Sequence, residues 1–574
     1  MAGSGATYIF GIYSNQIKES LGYDQTTLNL MSFWKDLGAN VGVLSGFIVE
    51  ATPTWFVLFL GALLNFVGYF FIWFAVMGKI PKPDPKLMYM LIAFGANSQN
   101  FSNTGVMVAC VKNFPESRGI MLGLLKGFAG LSGAIITQIY LAIYGDDAKS
   151  LILFIAWLPS LISIIFLFTI RTMKVVRQPN ETRVFYHCLY ISIALAVYLV
   201  LITLLQKQIV FPHAGYIASA TFVSLVIFLP LGICIRQEYA FWNLKKQPID
   251  PPSSITVVKE LEAAESTTTK HTATAAAAEV EAEAEAEVEP SSSVQAQHTA
   301  DENKKPKKGR KPNRGEDYGI LQALLSIDMM ILFLTAFCGL GSCLTAINNL
   351  GQIGQSLGYP ARIISSLVSL VSIWNYCGRV FAGFVSEILI AKKRFPRTLM
   401  MTLNVLLSCV GYLLIALPFP GSLYVASVIV GFTFGAQLTL LLTIISELFG
   451  LKYYSILFNY GQMAMPLGSY VLNVRIAGNL YDREALKQLA EKGLDRSSVE
   501  GLTCIGVQCY RLSFIILASV SCFGGLVSII LVMRTRKFYK SDIYKKFREA
   551  ATEAAEERET ALSSAAEPND QLKV

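Results

Sequence analysis

The stretch GATYIFGIYSNQIKESLGY (residues 5–23) recurs without a gap as GSCLTAINNLGQIGQSLGY (residues 341–359). Seven of the nineteen positions are identical: Gly5 with Gly341, Gln16 with Gln352, Ile17 with Ile353, and the whole of SLGY. Unrelated segments of this length would share roughly one. The next helices echo each other too: GFIVE (46–50) parallels GFVSE (383–387), and VGY (67–69) parallels VGY (410–412). Close packing of glycine-rich helices would account for the glycines, but not for a repeated polar loop. The chain reads as two related halves.

Composition says what the halves are made of. The 574 residues are 53% hydrophobic and only 15% charged, with a mean hydropathy of +0.48; a soluble chain carries about 25% charged residues. Apolar runs of membrane-spanning length fall near 28–49, 54–78, 87–110, 119–143 and 150–171, after a shorter one at about 2–16. Two more lie near 184–206 and 214–236, and six near 326–349, 361–390, 397–417, 422–446, 453–477 and 510–533. The expected fold is an all-α membrane protein of about fourteen spans, arranged six, two and six. The domains follow: 1–171 and 319–537 are six-helix halves, 172–236 adds two helices, 237–318 is a linker and 538–574 a tail. The first span, MAGSGATYIFGIYSNQ, lacks the basic start of a signal peptide. At sixteen residues it is read as a truncated helix.

The linker holds the acidic run AAAAEVEAEAEAEVE and the basic cluster KKPKKGRKPNR at 304–314, with too little apolar surface to offset ordering. Basic loops at 171–183, 391–397 and 534–540 place these ends and the linker in the cytosol, although the basic loop 78–86 falls outside. Net charge of +8 is thus a membrane-orientation signal and not a nucleic-acid one. Eight cysteines lie in or beside apolar segments as small hydrophobes. Cys504 and Cys509 share the outer loop 478–509, where a disulfide or two free thiols would both fit. No metal-ligand spacing occurs, and no GxSxG, P-loop, HExxH or CxxC pattern supports catalysis. No cofactor or metal is expected.

Several stretches together resemble a known family. They are GATYIFGIYSNQIKESLGYDQTTLNL, KDLGANVGVLSG, GANSQNFSNTG, VKNFPESRG, LKGFAGLSGAI, RGEDYGILQALLS, SIWNYCGRVFAGFVSE and ISELFGLKYYSILFNYG. The chain resembles the plant nodulin-like, or nuclear-fusion-defective-4-like, family of the major facilitator superfamily. The resemblance implies a fold of two six-helix halves that expose a central site alternately to each side of the membrane. The family is related to oxalate–formate exchangers and monocarboxylate carriers, which implies small organic anions as the substrate class.

Arg379, inside the apolar NYCGRVFAGFVSE, is the first candidate residue, because a charge there is costly unless paired or wetted. In monocarboxylate carriers an arginine four residues before a glycine handles the substrate carboxylate, as Arg379 precedes Gly383. A planar guanidinium suits that task. The alternative has it bracing the cytosolic gate with Glu387 or Glu447. Those carriers have an acid where this chain has Asn375, and a first-helix lysine where it has Ile12-Tyr13. Asp36 is a candidate for proton or cation coupling, or else an ion-pair partner of Lys126 or of residues near Lys35. Lys35, about 100° away on the helix, is expected to point elsewhere. Asn97, Ser98, Asn100 and Thr104 form a polar stripe that, with Tyr8, Tyr13, Asn348, Asn349 and Gln437, is expected to line the cavity; interhelical hydrogen-bond glue is the alternative. Glu50 and Glu387, ending the paired GF-x-x-E segments, are expected to gate.

The first functional reading is a secondary transporter of a small organic anion, with a coupled proton as an option and a monomer in the bilayer. The second is a membrane sensor that signals through linker and tail. The plasma membrane is the first location, the vacuolar membrane the second.

Overall fold

The structure, a computed structural model, describes residues 1–3, 9–23, 25–145, 147–173, 181–209, 211–246, 312–491, 493 and 504–545. Tyr8, residues 247–311 of the linker and the tail beyond residue 545 lie outside the described residues.

The first half comprises α1 (Phe10–Leu21), α2 (Gln25–Asn40), α3 (Val43–Ala51), α4 (Thr54–Val76), α5 (Pro85–Asn113), α6 (Arg118–Tyr144) and α7 (Ala148–Ile165). The two additional helices are α8 (Glu181–Gln208) and α9 (His213–Lys246). A short α10 (Ile320–Leu324) precedes the second half: α11 (Ile327–Ser356), α12 (Ala361–Lys393), α13 (Arg397–Ala416), α14 (Ser422–Leu448), α15 (Tyr454–Ser469) and α17 (Gln508–Lys540). A π-helical turn, Tyr470–Gly478, continues α15 into the amphipathic α16 (Asn479–Glu491). The 478–509 loop therefore contains a helix that its polarity had hidden.

Among the described residues nine helices are long and apolar enough to cross a membrane. The other spans fall short for visible reasons. The polar stripe dilutes α5, a break at Val41-Gly42 separates α2 from α3, and the π turn interrupts the path from α15. With α1 and α7 these complete the six-two-six arrangement of an all-α membrane protein. Both halves fold into one compact unit, residues 1–232 with 312–574.

The repeated SLGY has a physical cause. In each copy a helix ends on a glycine in the left-handed region, Gly22 at φ 58° and Gly358 at φ 77°. The following tyrosine N–H returns to the carbonyl five residues earlier: Tyr23 to Lys18 at 3.1 Å and Tyr359 to Gly354 at 2.9 Å. This closes the last carbonyls of α1 and α11 and needs a residue without a Cβ penalty. The loop is a helix stop written twice.

The repeated GF-x-x-E glycines sit where the halves touch backbone to backbone. A Cβ on Gly46 (α3) would stand 2.9 Å from the Ser455 carbonyl of α15. A Cβ on Gly383 (α12) would stand 2.7 Å from the Gly119 carbonyl and 2.8 Å from Gly123 Cα, both on α6. Both crossings lie at the end of the bundle that carries the basic loops, here termed the basic face. Outside them, α8 leans on both halves: Ser192 and Tyr376 hydroxyls lie 2.7 Å apart, and Gln206 and Gln138 exchange amide hydrogen bonds.

The stop motif predicts opposite outcomes for two glycines, one in α11 and one just past its end, that both have open space around a methyl. Gly358→Ala forces a left-handed alanine and should lower stability by about 1–2 kcal/mol. Gly351→Ala, helical throughout, should raise it by up to about 1 kcal/mol. Thermal unfolding in detergent distinguishes them; equal shifts of one sign would refute the cap.

Candidate functional site

A cavity of about 320 Å³ lies between the halves, walled by α2, α5 and α6 on one side and α11, α12, α14 and α15 on the other. Its charged lining is Lys35, Asp36, Lys126 and Arg379, and most of its remaining polar groups are amides and hydroxyls. Arg379 is 2% exposed. Its Nε donates to Asn375 Oδ1 at 2.9 Å, one turn back on α12. Its Nη1 donates to the Lys126 carbonyl at 2.7 Å, which ties α12 to α6 across the cavity. Glycine at position 130 leaves room there, since a Cβ would lie 3.6 Å from Nη1. Lys126 is itself 6% exposed. Among the described residues neither cation has an acidic partner.

Of the residues expected from the sequence, Arg379, Asp36, Asn100, Thr104 and Asn348 line this cavity. Four others do not. Tyr13 is buried among the aromatic and aliphatic side chains packed between α1, α4 and α7. Asn349 donates to the Thr345 carbonyl and to Asn473, and Gln437 is fully buried against Gly339 and Cys343. Asn97 donates to the carbonyls of Gly38 and Val41 at 2.8 and 2.7 Å. These carbonyls are freed by the α2–α3 break, and Asn100 donates to Gly38 as well, at 2.8 Å. Part of the stripe is therefore a splint for a broken helix, because unpaired backbone cannot persist at membrane depth. Asn100 and Thr104 serve both purposes: Thr104 also meets Ser45 and Asn459.

The Lys35–Asp36 expectation needs correction. Both face the cavity and pair with each other at 2.9 Å. The flexible lysine stem covers the angular offset, and its ammonium also lies over the Phe10 ring at 5.1 Å.

At the basic face a second charged cluster forms, and Arg397 is its centre. Arg397 bonds Glu387 at 2.5 Å and Glu447 at 3.1 Å, with both side chains of the latter pair fully buried. Glu387 and Glu447 thus serve Arg397 and not Arg379. Tyr539 donates to Glu447 at 2.8 Å. Tyr544, just beyond α17, accepts from Arg397 and donates to Glu447, both at 3.1 Å. Burial pushes the Tyr544 phenol well up, so it stays a donor. From the first half, Arg118 donates to the Ser446 carbonyl at 2.8 Å and stacks on Tyr544. Glu50 accepts a short hydrogen bond from Ser455. The RGEDYG segment is anchored beside them: Gly315 and Tyr318 N–H groups bond the Leu448 and Phe449 carbonyls, and Asp317 caps Leu451 and Lys452. On the opposite face Cys504 and Cys509 form a disulfide.

Comparison with known proteins assigns both halves. Residues 1–235 match the Nodulin-like family model and residues 315–541 match the NFD4 C-terminal domain. The first half is thus a nodulin-like domain and the second an NFD4 C-terminal domain. It is 24% identical over 548 residues to Protein NUCLEAR FUSION DEFECTIVE 4 of Arabidopsis thaliana, covering 94% of this chain and 87% of that protein. It is also 23% identical over 156 residues to an uncharacterized membrane protein of Saccharomyces cerevisiae, covering 27% of this chain and 28% of that protein. Among solved structures, it is similar to a proton:xylose symporter of the major facilitator superfamily bound to 6-bromo-6-deoxy-D-glucose. There identity is 10% and the TM-score 0.49, over 94% of this chain and 93% of that one. A second is the FucP transporter in an outward conformation, at 12% identity and a TM-score of 0.44, over 92% and 96%. With two six-helix halves around a central cavity and, among the described residues, nine helices long and apolar enough to span, the chain is a multi-pass membrane protein.

The two arginines should respond oppositely to loss of charge. Arg397→Gln leaves Glu387 and Glu447 buried and unpaired, at a cost of about 3–5 kcal/mol. Arg379→Gln removes a cation with neutral partners only and should stay within about 1 kcal/mol of the parent. Melting temperatures in detergent would show a large drop for the first alone; equal drops would make Arg379 a structural charge.

Proposed function

We propose that this protein is a secondary transporter that carries a small organic anion through the central cavity by alternating access. The supporting observation is Arg379: a guanidinium inside a spanning helix, anchored at Nε and Nη1 by neutral oxygens, facing the cavity without an ion pair among the described residues. A carboxylate would supply the charge that the protein omits, through the bidentate geometry guanidinium favours. Asp36 is the one acid lining the cavity among the described residues and is half exposed. It is the candidate for coupling a proton, which would be taken up as the Lys35 pair opens.

The basic-face cluster supplies the gate. Glu50–Ser455, Arg118–Ser446 and Arg118–Tyr544 all cross between the halves. They must break for the cavity to open toward the cytosol. Arg397 with Glu387 and Glu447 holds the second half's side of that contact together. The plasma membrane is the proposed location.

Uptake of a panel of radiolabelled carboxylates into proteoliposomes tests the reading. Arg379→Gln should lower saturable uptake at least about a hundredfold, the loss of two charge-assisted hydrogen bonds, with insertion unchanged. Unchanged uptake would remove Arg379 from the site. Absence of flux for every anion, with ligand-dependent accessibility of the linker, would favour the sensor.

A further inference from the structure

We propose that the cavity selects dianions, and that Lys126 is the residue that sets this preference. The inference rests on the anion reading above and narrows it. The cavity lining carries three cations and one acid. Asp36 is matched to Lys35 at 2.9 Å, so two positive charges stand without an acidic partner. These two are neighbours. The guanidinium of Arg379 lies against the α6 backbone, bonded to the Lys126 carbonyl and 3.6 Å from where a Gly130 Cβ would be. Arg379 thus meets α6 at the turn that carries Lys126, and both residues line the cavity.

Alternative partners for Lys126 are absent among the described residues. No hydrogen bond or ion pair reaches its Nζ, although the residue is nearly buried. The chain has means to neutralise such charges and uses them elsewhere: Arg397 receives two glutamates, and Asp328 receives Arg314 and Arg534. At the cavity it places Asn375 beside Arg379 instead of an acid. A monoanion on Arg379 would leave Lys126 uncompensated in a low-dielectric wall. A ligand with two carboxylates neutralises both, and a cavity of about 320 Å³ admits a short one.

The test uses pairs of equal size that differ by one charge: succinate with its half-amide succinamate, and malonate with malonamate. Affinity is read on the full chain in nanodiscs, as ligand-induced shift of the melting temperature against concentration. The parent should prefer each diacid over its half-amide by about tenfold or more, one charged hydrogen bond. Lys126→Met should cost the diacid at least about tenfold more affinity than it costs the half-amide, which abolishes the preference, and Lys126→Arg should restore it. Equal affinities in the parent would overturn the inference, as would a Lys126→Met change that weakens both members alike. In those cases half-amides still bind and the anion reading stands. If no carboxylate binds and Arg379→Gln alters nothing, the anion reading itself fails.

Discussion

Every feature of this molecule answers to one constraint: a charge taken out of water must be compensated, or kept for something that will compensate it. The chain solves this in two ways. At the basic face Arg397 is enclosed by Glu387 and Glu447, with Tyr539 and Tyr544 taking the remaining carboxylate positions. In the cavity Arg379 has only neutral partners, and among the described residues Lys126 has no ion pair. The first arrangement holds helices together. In the proposed reading the second is a binding site, whose electrostatic completion comes from the solute.

The same helices carry both arrangements, which couples them. On α12, Arg379 faces the cavity, Gly383 touches α6 and Glu387 meets Arg397, at successive turns of one face. On α6, Lys126, Gly123 and Gly119 answer in the same order. The gate contacts and the cavity cations thus share two helices, which meet backbone to backbone at Gly383, Gly119 and Gly123.

The sequence disclosed the parts of this design that depend on pattern. Apolar length revealed the spans, and the repeated SLGY revealed the halves because a helix stop needs glycine at one fixed place. Arg379 stood out as a charge inside an apolar run. Other parts depend on distance in space and left no local trace. Arg397 opens a helix after Lys392, Lys393 and Arg394, where it looks like one more loop charge. Tyr544 lies in a charged tail, and only the fold brings it under Arg118. The α2–α3 break contains no proline. Its marker is Asn97 and Asn100 on α5: Asn97 splints the gap instead of lining the cavity, and Asn100 does both. Lys126 was legible as a charge in an apolar helix, but its closeness to Arg379 was not.

The central claim is that an anion completing the cavity charges drives the halves between two arrangements. Spin-label distances test it most directly, on a chain without other free thiols. One pair, at Ala51 and Lys392, reports the basic face; the other, at Lys79 and Gln355, reports the opposite face, and all four positions are exposed. Added carboxylate that stabilises the protein should shift the two distance distributions in opposite directions, lengthening the first as the second shortens. A stabilising anion that leaves both distances fixed would contradict the account.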